Sequence, residues 1–382
     1  MEKFHRYKIG VDARLLSEPH TGIGRYLFEV LSRLVDMGHD WVLYSHRPLV
    51  NGDWAYKKNV AVKTCAFQSR VMRMIWAQSI LPLWAKRDSI DIFWGPSHRI
   101  PYFLEDRVAV VLTIHDLVWL HAGGTMRPLS RYLDSRLMPY AITRADRIIT
   151  VSKHTAKDVE NEFPIPSGKV QPIHLGGNIS AMHDQSVSLS TLGINHDYFL
   201  FVGTIEPRKN LQRLIEAFSR IPDSDVGSVK LVIVGGKGWG SVDVAALVAQ
   251  YNIQNSVLVL GYVSDDVLNL LYKSALFLVM PSLYEGFGLP LLEALSVGTP
   301  VLTSNCSSMP EVVGDAAILV DPYSVDSIKM GIQTMLSNPT LRVKLSEIGL
   351  KQAALFSWDK AADLTLKIFQ EAVLTKRFKN QL

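Results

Sequence analysis

Two series of short apolar strand candidates, each interleaved with amphipathic helical stretches and separated by one polar, glycine-bearing segment, predict an α/β protein of two parallel-sheet domains with helices on both sheet faces. The length of 382 residues supports that division, since roughly 100 to 200 residues per domain is usual. Ligands in such folds bind at the carboxyl ends of the strands, so two facing domains imply an interdomain cleft.

The first series of strand candidates covers 7–11, 41–44, 91–94, 108–114 and 147–151, with helical patterns at 25–37 and 153–162. The second covers 198–202, 230–234, 257–260, 275–280 and 300–303. Between them, Gly176-Gly-Asn-Ile-Ser and the residues up to Asn195 are rich in glycine, serine and polar side chains and lack periodicity. The expected division is a first domain over 1–178, a hinge over 179–195 and a second domain over 196–358.

Hydrophobic residues make up 48% of the chain and charged residues 20%, the composition of a folded globular protein. A formal charge of +4 is too small to point to nucleic acid without a concentrated basic patch. Cys65 and Cys306 supply neither a disulfide framework nor a four-ligand zinc site, so a reducing cytoplasm is the economical expectation. The N-terminus has no apolar core, and no later run approaches the roughly 20 apolar residues that span a bilayer, which predicts a soluble or peripheral protein. The segment 69–87 mixes Arg70, Arg73, Lys86 and Arg87 with Trp76 and Trp84. Its apolar residues spread around a helix rather than forming one stripe, which favours a mostly buried helix over one lying on a membrane.

The segment that carries most chemistry is Glu285-Gly-Phe-Gly-Leu-Pro-Leu-Leu-Glu293. The apolar run before it reads as a buried strand, Pro290 suits the first turn of a helix, and Gly298 could end that helix. Glu285 would lie in the strand-to-helix loop and Glu293 about one turn into the helix. The amides of Phe287, Gly288 and Leu289 would open from the helix N-terminus, where unpaired donors and the helix dipole favour a diphosphate. Upstream in the same domain, Gly203-Thr-Ile-Glu-Pro-Arg-Lys-Asn210 follows another strand and precedes a helix, so Arg208 and Lys209 would neutralise phosphate on the same side of the sheet. Asn210 would cap that helix.

Three motifs belong to the first domain. Thr21-Gly22-Ile-Gly24-Arg25 opens a helix after the first strand, but it lacks the third glycine and the acidic second-strand end of a dinucleotide site. A glycine loop closing on a diphosphate fits better than an NAD site. His115-Asp116 ends a very apolar strand and presents an imidazole at its carboxyl edge, whereas Trp94-Gly-Pro-Ser-His98 reads first as a turn. In the second domain Asp223-Ser-Asp225, the one Asp-x-Asp pair, sits between Pro222 and Gly227 and reads as a polar turn rather than a metal site. No metal is expected, so Arg208 and Lys209 must meet the leaving-group charge.

With these motifs the chain resembles the retaining family-4 glycosyltransferases of the GT-B fold, two Rossmann-like domains whose signature Glu-x7-Glu is matched by Glu285 and Glu293. The resemblance extends over Thr21-Gly-Ile-Gly24, His115-Asp116, Arg144-Ala-Asp-Arg-Ile-Ile-Thr-Val-Ser152, Val202-Gly-Thr-Ile-Glu-Pro-Arg-Lys-Asn210, Gly261-Tyr-Val263 and Pro310-Glu-Val. Phe356-Ser-Trp358 resembles the point where the family's last helix, here 359–382, returns to the first domain. The resemblance implies that Glu293 binds the donor ribose, Glu285 the donor sugar, Arg208 and Lys209 the diphosphate, and Gly22 and Gly24 the phosphate region. It places His115 beside the transferred sugar, Gly261, Tyr262 and Val263 at the base, and the backbone of Phe287, Gly288 and Leu289 on sugar and phosphate. Thr204 stands where many relatives carry arginine, which shifts the phosphate charge onto Lys209 and Arg208.

Among family members the motifs look most like bacterial O-antigen mannosyltransferases that use GDP-mannose and a polyprenyl-diphosphate-linked acceptor in lipopolysaccharide synthesis. This implies a cytoplasmic enzyme, peripheral on the inner membrane, with a nucleotide-sugar donor, a glycan acceptor, no metal and no nucleic acid. The competing expectations are a family member using a UDP-sugar, a sugar-nucleotide epimerase, and a non-catalytic glycan-binding subunit.

Overall fold

The computed structural model describes residues 5–18, 22–50, 52–66, 69–177, 188–240 and 242–379. Its contacts divide the chain into two compact units. The first comprises Met1–Asp116, Leu133–Leu175 and Trp358–Leu382, and the second Leu117–Tyr132 and Gly176–Ser357. Residues 117–132 lie inside the stretch expected for the first domain, yet they pack with the second unit. Most of the expected hinge, and Thr21 of the glycine motif, lie outside the described residues.

The first unit is built on seven parallel strands: β1 (Lys8–Asp12), β2 (Asp40–Ser45), β3 (Val60–Thr64), β4 (Ile92–Gly95), β5 (Ala109–Ile114), β6 (Arg147–Thr150) and β7 (Val170–Pro172), in the order β3-β2-β1-β4-β5-β6-β7. The second has six parallel strands, β8 (Tyr198–Val202), β9 (Lys230–Val234), β10 (Val257–Gly261), β11 (Leu278–Met280), β12 (Val301–Ser304) and β13 (Ala317–Val320), in the order β10-β9-β8-β11-β12-β13. Each order reverses once, between β1 and β4 in one sheet and between β8 and β11 in the other. Loops leaving the two strands at such a reversal diverge and leave a crevice at the carboxyl edge.

Central strands are buried along their whole length, as in β5 and β8, because helices cover both faces. The expected strand at 275–280 contracts to β11, since the Ala275 amide is still donated to Leu271 and Tyr272 at the end of the preceding helix, Asp265–Ser274. In the second unit Phe199 and Phe277 stack at 5.1 Å within one core that also takes in Phe201, Leu214, Phe218 and Ile233. In the first unit the last helix, Trp358–Lys379, buries Phe369 against Trp41 and Trp94 at ring separations of 6.3 and 5.5 Å.

The segment 69–87 is three helical pieces, Arg70–Ile75, a π turn over Trp76–Ile80, and Leu81–Asp88. The π turn rotates the side chains that follow it, which is why no single apolar stripe exists. Trp76, Ala77, Leu81 and Ala85 are buried, while Met72, Ile75 and Leu83 are exposed. Among the described residues no helix is long and apolar enough to cross a membrane.

Candidate functional site

In the second unit, Arg208 and Lys209 leave β8 and Glu285 leaves β11, so both loops flank the point where the strand order reverses. Lys209 Nζ donates to Glu285 Oε1 at 2.6 Å, and Arg208 donates to Glu285 Oε2 at 2.6 Å. The same guanidinium donates to Glu206 Oε1 at 2.7 Å and to the Tyr284 carbonyl at 2.8 Å. Lys209 and Glu285 are buried. Burial alone would push the Glu285 carboxyl up, but the Arg208 and Lys209 charges and the Lys209 hydrogen bond together outweigh it and hold it at about 2.

The backbone of the Glu285 loop is fixed independently of these charges. The Glu285 amide donates to Ser307 Oγ at 3.1 Å, and the Ser308 hydroxyl donates to the carbonyls of Glu285 and Phe287 at 2.8 and 3.0 Å. Gly288 adopts φ +99°, a conformation open to glycine, and the helix Leu289–Ser296 begins immediately after it with Pro290 in its first turn. The Phe287 ring is buried and meets Phe356 edge-on at 5.9 Å, which leaves its backbone as the part able to face a ligand. Glu293, buried on the same helix, accepts from the Tyr272 hydroxyl at 2.9 Å.

Asn210 stands at the start of helix Leu211–Ser219 but does not cap it. At φ 61° its side-chain amide donates to the carbonyls of Pro281 and Pro322 at 2.9 and 2.7 Å, while its oxygen accepts from Arg213 at 3.0 Å, tying the β8 loop to the loops after β11 and β13. Thr204 is exposed beside the Gly203 turn. Gly261 ends β10 at φ 72°, Tyr262 is 72% exposed, and Val263 follows partly buried. Asp223-Ser-Asp225 forms a short helical turn, with Asp225 accepting from the Gln333 amide at 2.9 Å.

The loop after β9, Gly235-Gly-Lys-Gly238, also belongs to this region. The Gly235 amide donates to the Gly261 carbonyl at 2.8 Å, and Lys237 pairs with Ile205 in an isolated parallel bridge. A Cβ at Gly235 would meet the Gly203 carbonyl oxygen at 2.0 Å. The loops after β8, β9 and β10 thus form one braced edge. The glycine run itself was the available sequence signal for this loop. Glu206 lies inside the Gly203–Asn210 motif without an assigned part, whereas Tyr272, Ser307 and Ser308 had no signal, because each acts on a residue distant in the chain through an ordinary polar side chain.

In the first unit, Gly22 and Gly24 are not in a loop but in the first turn of helix Gly22–Leu34, with Gly24 buried. The turn Trp94-Gly-Pro-Ser-His98 proves to hold His115. His115 Nε2 lies 2.8 Å from the Pro96 carbonyl, which makes Nε2 the protonated nitrogen, and the His115 amide donates to His98 Nε2 at 3.0 Å. His98 reaches this position in a left-handed backbone conformation, φ 64°. Tyr26 packs edge-on against His115 at 4.9 Å. Burial, with the His98 imidazole, pushes His115 down to about 3 against the pull of the Pro96 hydrogen bond, so it is a neutral hydrogen-bonding group at physiological pH.

The family described as glycosyltransferase family 4 matches residues 20–180, and glycosyl transferases group 1 matches residues 191–352. The O-antigen chain mannosyltransferase B of Escherichia coli is 32% identical over 92% of this chain and 96% of its own. Among solved structures, sucrose-phosphate synthase of Thermosynechococcus elongatus superimposes with a TM-score of 0.76 at 19% identity, covering 96% of this chain and 99% of that one. WaaG, a glycosyltransferase of lipopolysaccharide biosynthesis, gives a TM-score of 0.74 at 18% identity over 95% and 99% of the two chains. The chain belongs to the family-4 glycosyltransferases, and it is a sugar-transferring enzyme of the GT-B fold.

Proposed function

We propose that the protein is a retaining mannosyltransferase that moves mannose from GDP-mannose onto a polyprenyl-diphosphate-linked glycan in O-antigen synthesis. The observation that carries the donor half is the pair of cations, half-buried Arg208 and buried Lys209, gathered on Glu285 at the strand-order reversal. The sugar and the pathway rest on the name of the E. coli relative, an O-antigen chain mannosyltransferase.

Breaking the glycosidic bond puts negative charge on the departing diphosphate, and preorganised cations in a site of low dielectric stabilise it. Lys209 and Arg208 are assigned that work, which makes a metal unnecessary. Glu293, with one oxygen held by Tyr272, would accept from the ribose hydroxyls. The backbone of Phe287, Gly288 and Leu289 would receive sugar and phosphate, the edge at Gly261, Tyr262 and Val263 the base, and Thr204 would offer a hydroxyl. In the first unit, neutral His115, whose Nε2–H is committed to the Pro96 carbonyl, would accept a hydrogen bond at Nδ1 rather than supply a proton, and the helix turn at Gly22 and Gly24 would offer backbone to phosphate. Exposed Met72, Ile75 and Leu83, on a segment that also carries exposed Lys86 and Arg87, support peripheral contact with an anionic membrane surface.

The test is a screen of GDP- and UDP-sugars for binding and for transfer to a polyprenyl-diphosphate glycan, with and without EDTA. GDP-mannose is expected to bind and turn over without loss in EDTA, giving a product of retained anomeric configuration by NMR. Lys209→Ala is expected to lose roughly a hundredfold or more in turnover. Binding of UDP with none of GDP would exclude the mannosyl assignment, and isomerised donor without transfer would make the enzyme an epimerase.

A further inference from the structure

The cations assigned to the donor diphosphate are already occupied. Both oxygens of Glu285 are engaged, one by Lys209 and one by Arg208, each at 2.6 Å, and Glu206 takes a further position on Arg208 at 2.7 Å. Two cations thus face two carboxylates, and the cluster is close to neutral before any ligand arrives. The side chains of Lys209 and Glu285 are 10% and 7% exposed, so water screens their attraction little.

We propose that Glu285 is an internal counter-anion, holding Arg208 and Lys209 until a nucleotide-linked sugar displaces it, so that the nucleoside diphosphate product, which offers Glu285 nothing in exchange, is held weakly and leaves. This rests on the donor-site reading of the second unit. Phosphate oxygens draw on the same ammonium and guanidinium charges that now pair with Glu285. A donor that displaces the carboxylate carries sugar hydroxyls able to donate to it, so the released charge is again hydrogen-bonded. A nucleoside diphosphate carries no such sugar. Its phosphates and Glu285 then compete for the same two cations, and one anion is left buried without a full set of partners. The loop itself does not depend on this charge, since Ser307 and Ser308 fix its backbone.

The experiment is calorimetric titration of wild type and Glu285→Gln with GDP, UDP and the corresponding nucleotide sugars, alongside circular dichroism. Glutamine keeps the shape and removes the charge. Nucleoside diphosphate is expected to bind Glu285→Gln roughly tenfold or more tightly than wild type, while nucleotide sugar gains less and turnover falls. A carboxylate that merely propped up the loop would, on removal, weaken both ligands. Unchanged or weaker binding of the nucleoside diphosphate would overturn the proposal. If Glu285→Gln does not fold, Glu206→Gln, which removes the second carboxylate from Arg208, carries the test with the same sign and a smaller gain. Failure of wild type and variants alike to bind any nucleoside diphosphate or nucleotide sugar would instead overturn the donor-site reading.

Discussion

A histidine held neutral inside a protein makes stability depend on pH in one direction. His115, 6% exposed, titrates near 3 in the folded chain, below the value of about 6.5 it has when unfolded. Between these values the unfolded chain binds a proton that the folded chain does not. Stability is therefore full above about pH 6.5 and falls as the pH drops toward 3. His98, whose ring lies 5.3 Å from that of His115, is pushed down by burial as well and adds with the same sign. Glu285 acts in a lower window, because its contribution is complete above about pH 4.3 and declines only as the pH falls toward 2. Urea unfolding at pH 6.5 and 5 is thus expected to show a loss in wild type that exceeds the loss in His115→Gln by on the order of 1.5 kcal/mol. Equal losses would mean that His115 is protonated in the folded protein.

At the scale of elements, three strand-end loops act as one edge through backbone contacts, and the narrowest of these is at Gly235. Its φ of +147° and the Gly203 oxygen that a Cβ would meet at 2.0 Å exclude any side chain there. Gly235→Ala must move the β9 loop away from the β8 loop, breaking the donation from Gly235 to Gly261. It is expected to cost more than about 1 kcal/mol of stability and to weaken nucleotide binding without touching a charged residue. Thermal melting and GDP titration of the variant check both, and unchanged affinity would separate this edge from the donor site. The glycine run 235–240 was visible in the sequence, but nothing local says that Gly235 passes against Gly203 on a neighbouring strand. The same limit explains which strands were legible. Those at the sheet centres stood out as unbroken apolar runs, whereas β3, β7 and β13 are short edge strands with exposed positions and little contrast with loops. Glu285, Glu293, Arg208 and Lys209 could be singled out because strand-to-helix loops with glycine and charge are local patterns. That Glu285 would bind both cations could not, because the ion pairs span 76 and 77 residues of chain.

For the molecule as a whole, the order of the chain and the composition of its units differ. The chain passes between units after Asp116, Tyr132, Leu175 and Ser357, and the first unit is completed only by its last segment. Helix Trp358–Lys379 contributes buried Ala361, Ala362, Thr365, Ile368, Phe369 and Ala372, and Asp359 pairs with Arg33 at 2.5 Å. Most of that buried surface belongs to a core whose strands come from the first half of the chain. The exposed Asp359 pair adds little, so packing of the helix decides its worth. Phe369 is the largest of these buried side chains, in ring contact with Trp41 of β2 and Trp94 of β4. Phe369→Ala is expected to cost roughly 3 to 5 kcal/mol in the first unit, the range for emptying an aromatic site in a close-packed core. Because the second unit has its own core and holds Arg208, Lys209, Glu285 and Glu293, nucleoside diphosphate should bind the variant as it binds wild type at a temperature where both are folded. Calorimetry should then resolve an early transition that moves to lower temperature and a later one that stays and is raised by nucleotide. A single transition that shifts as a whole would show instead that the two units unfold as one cooperative body.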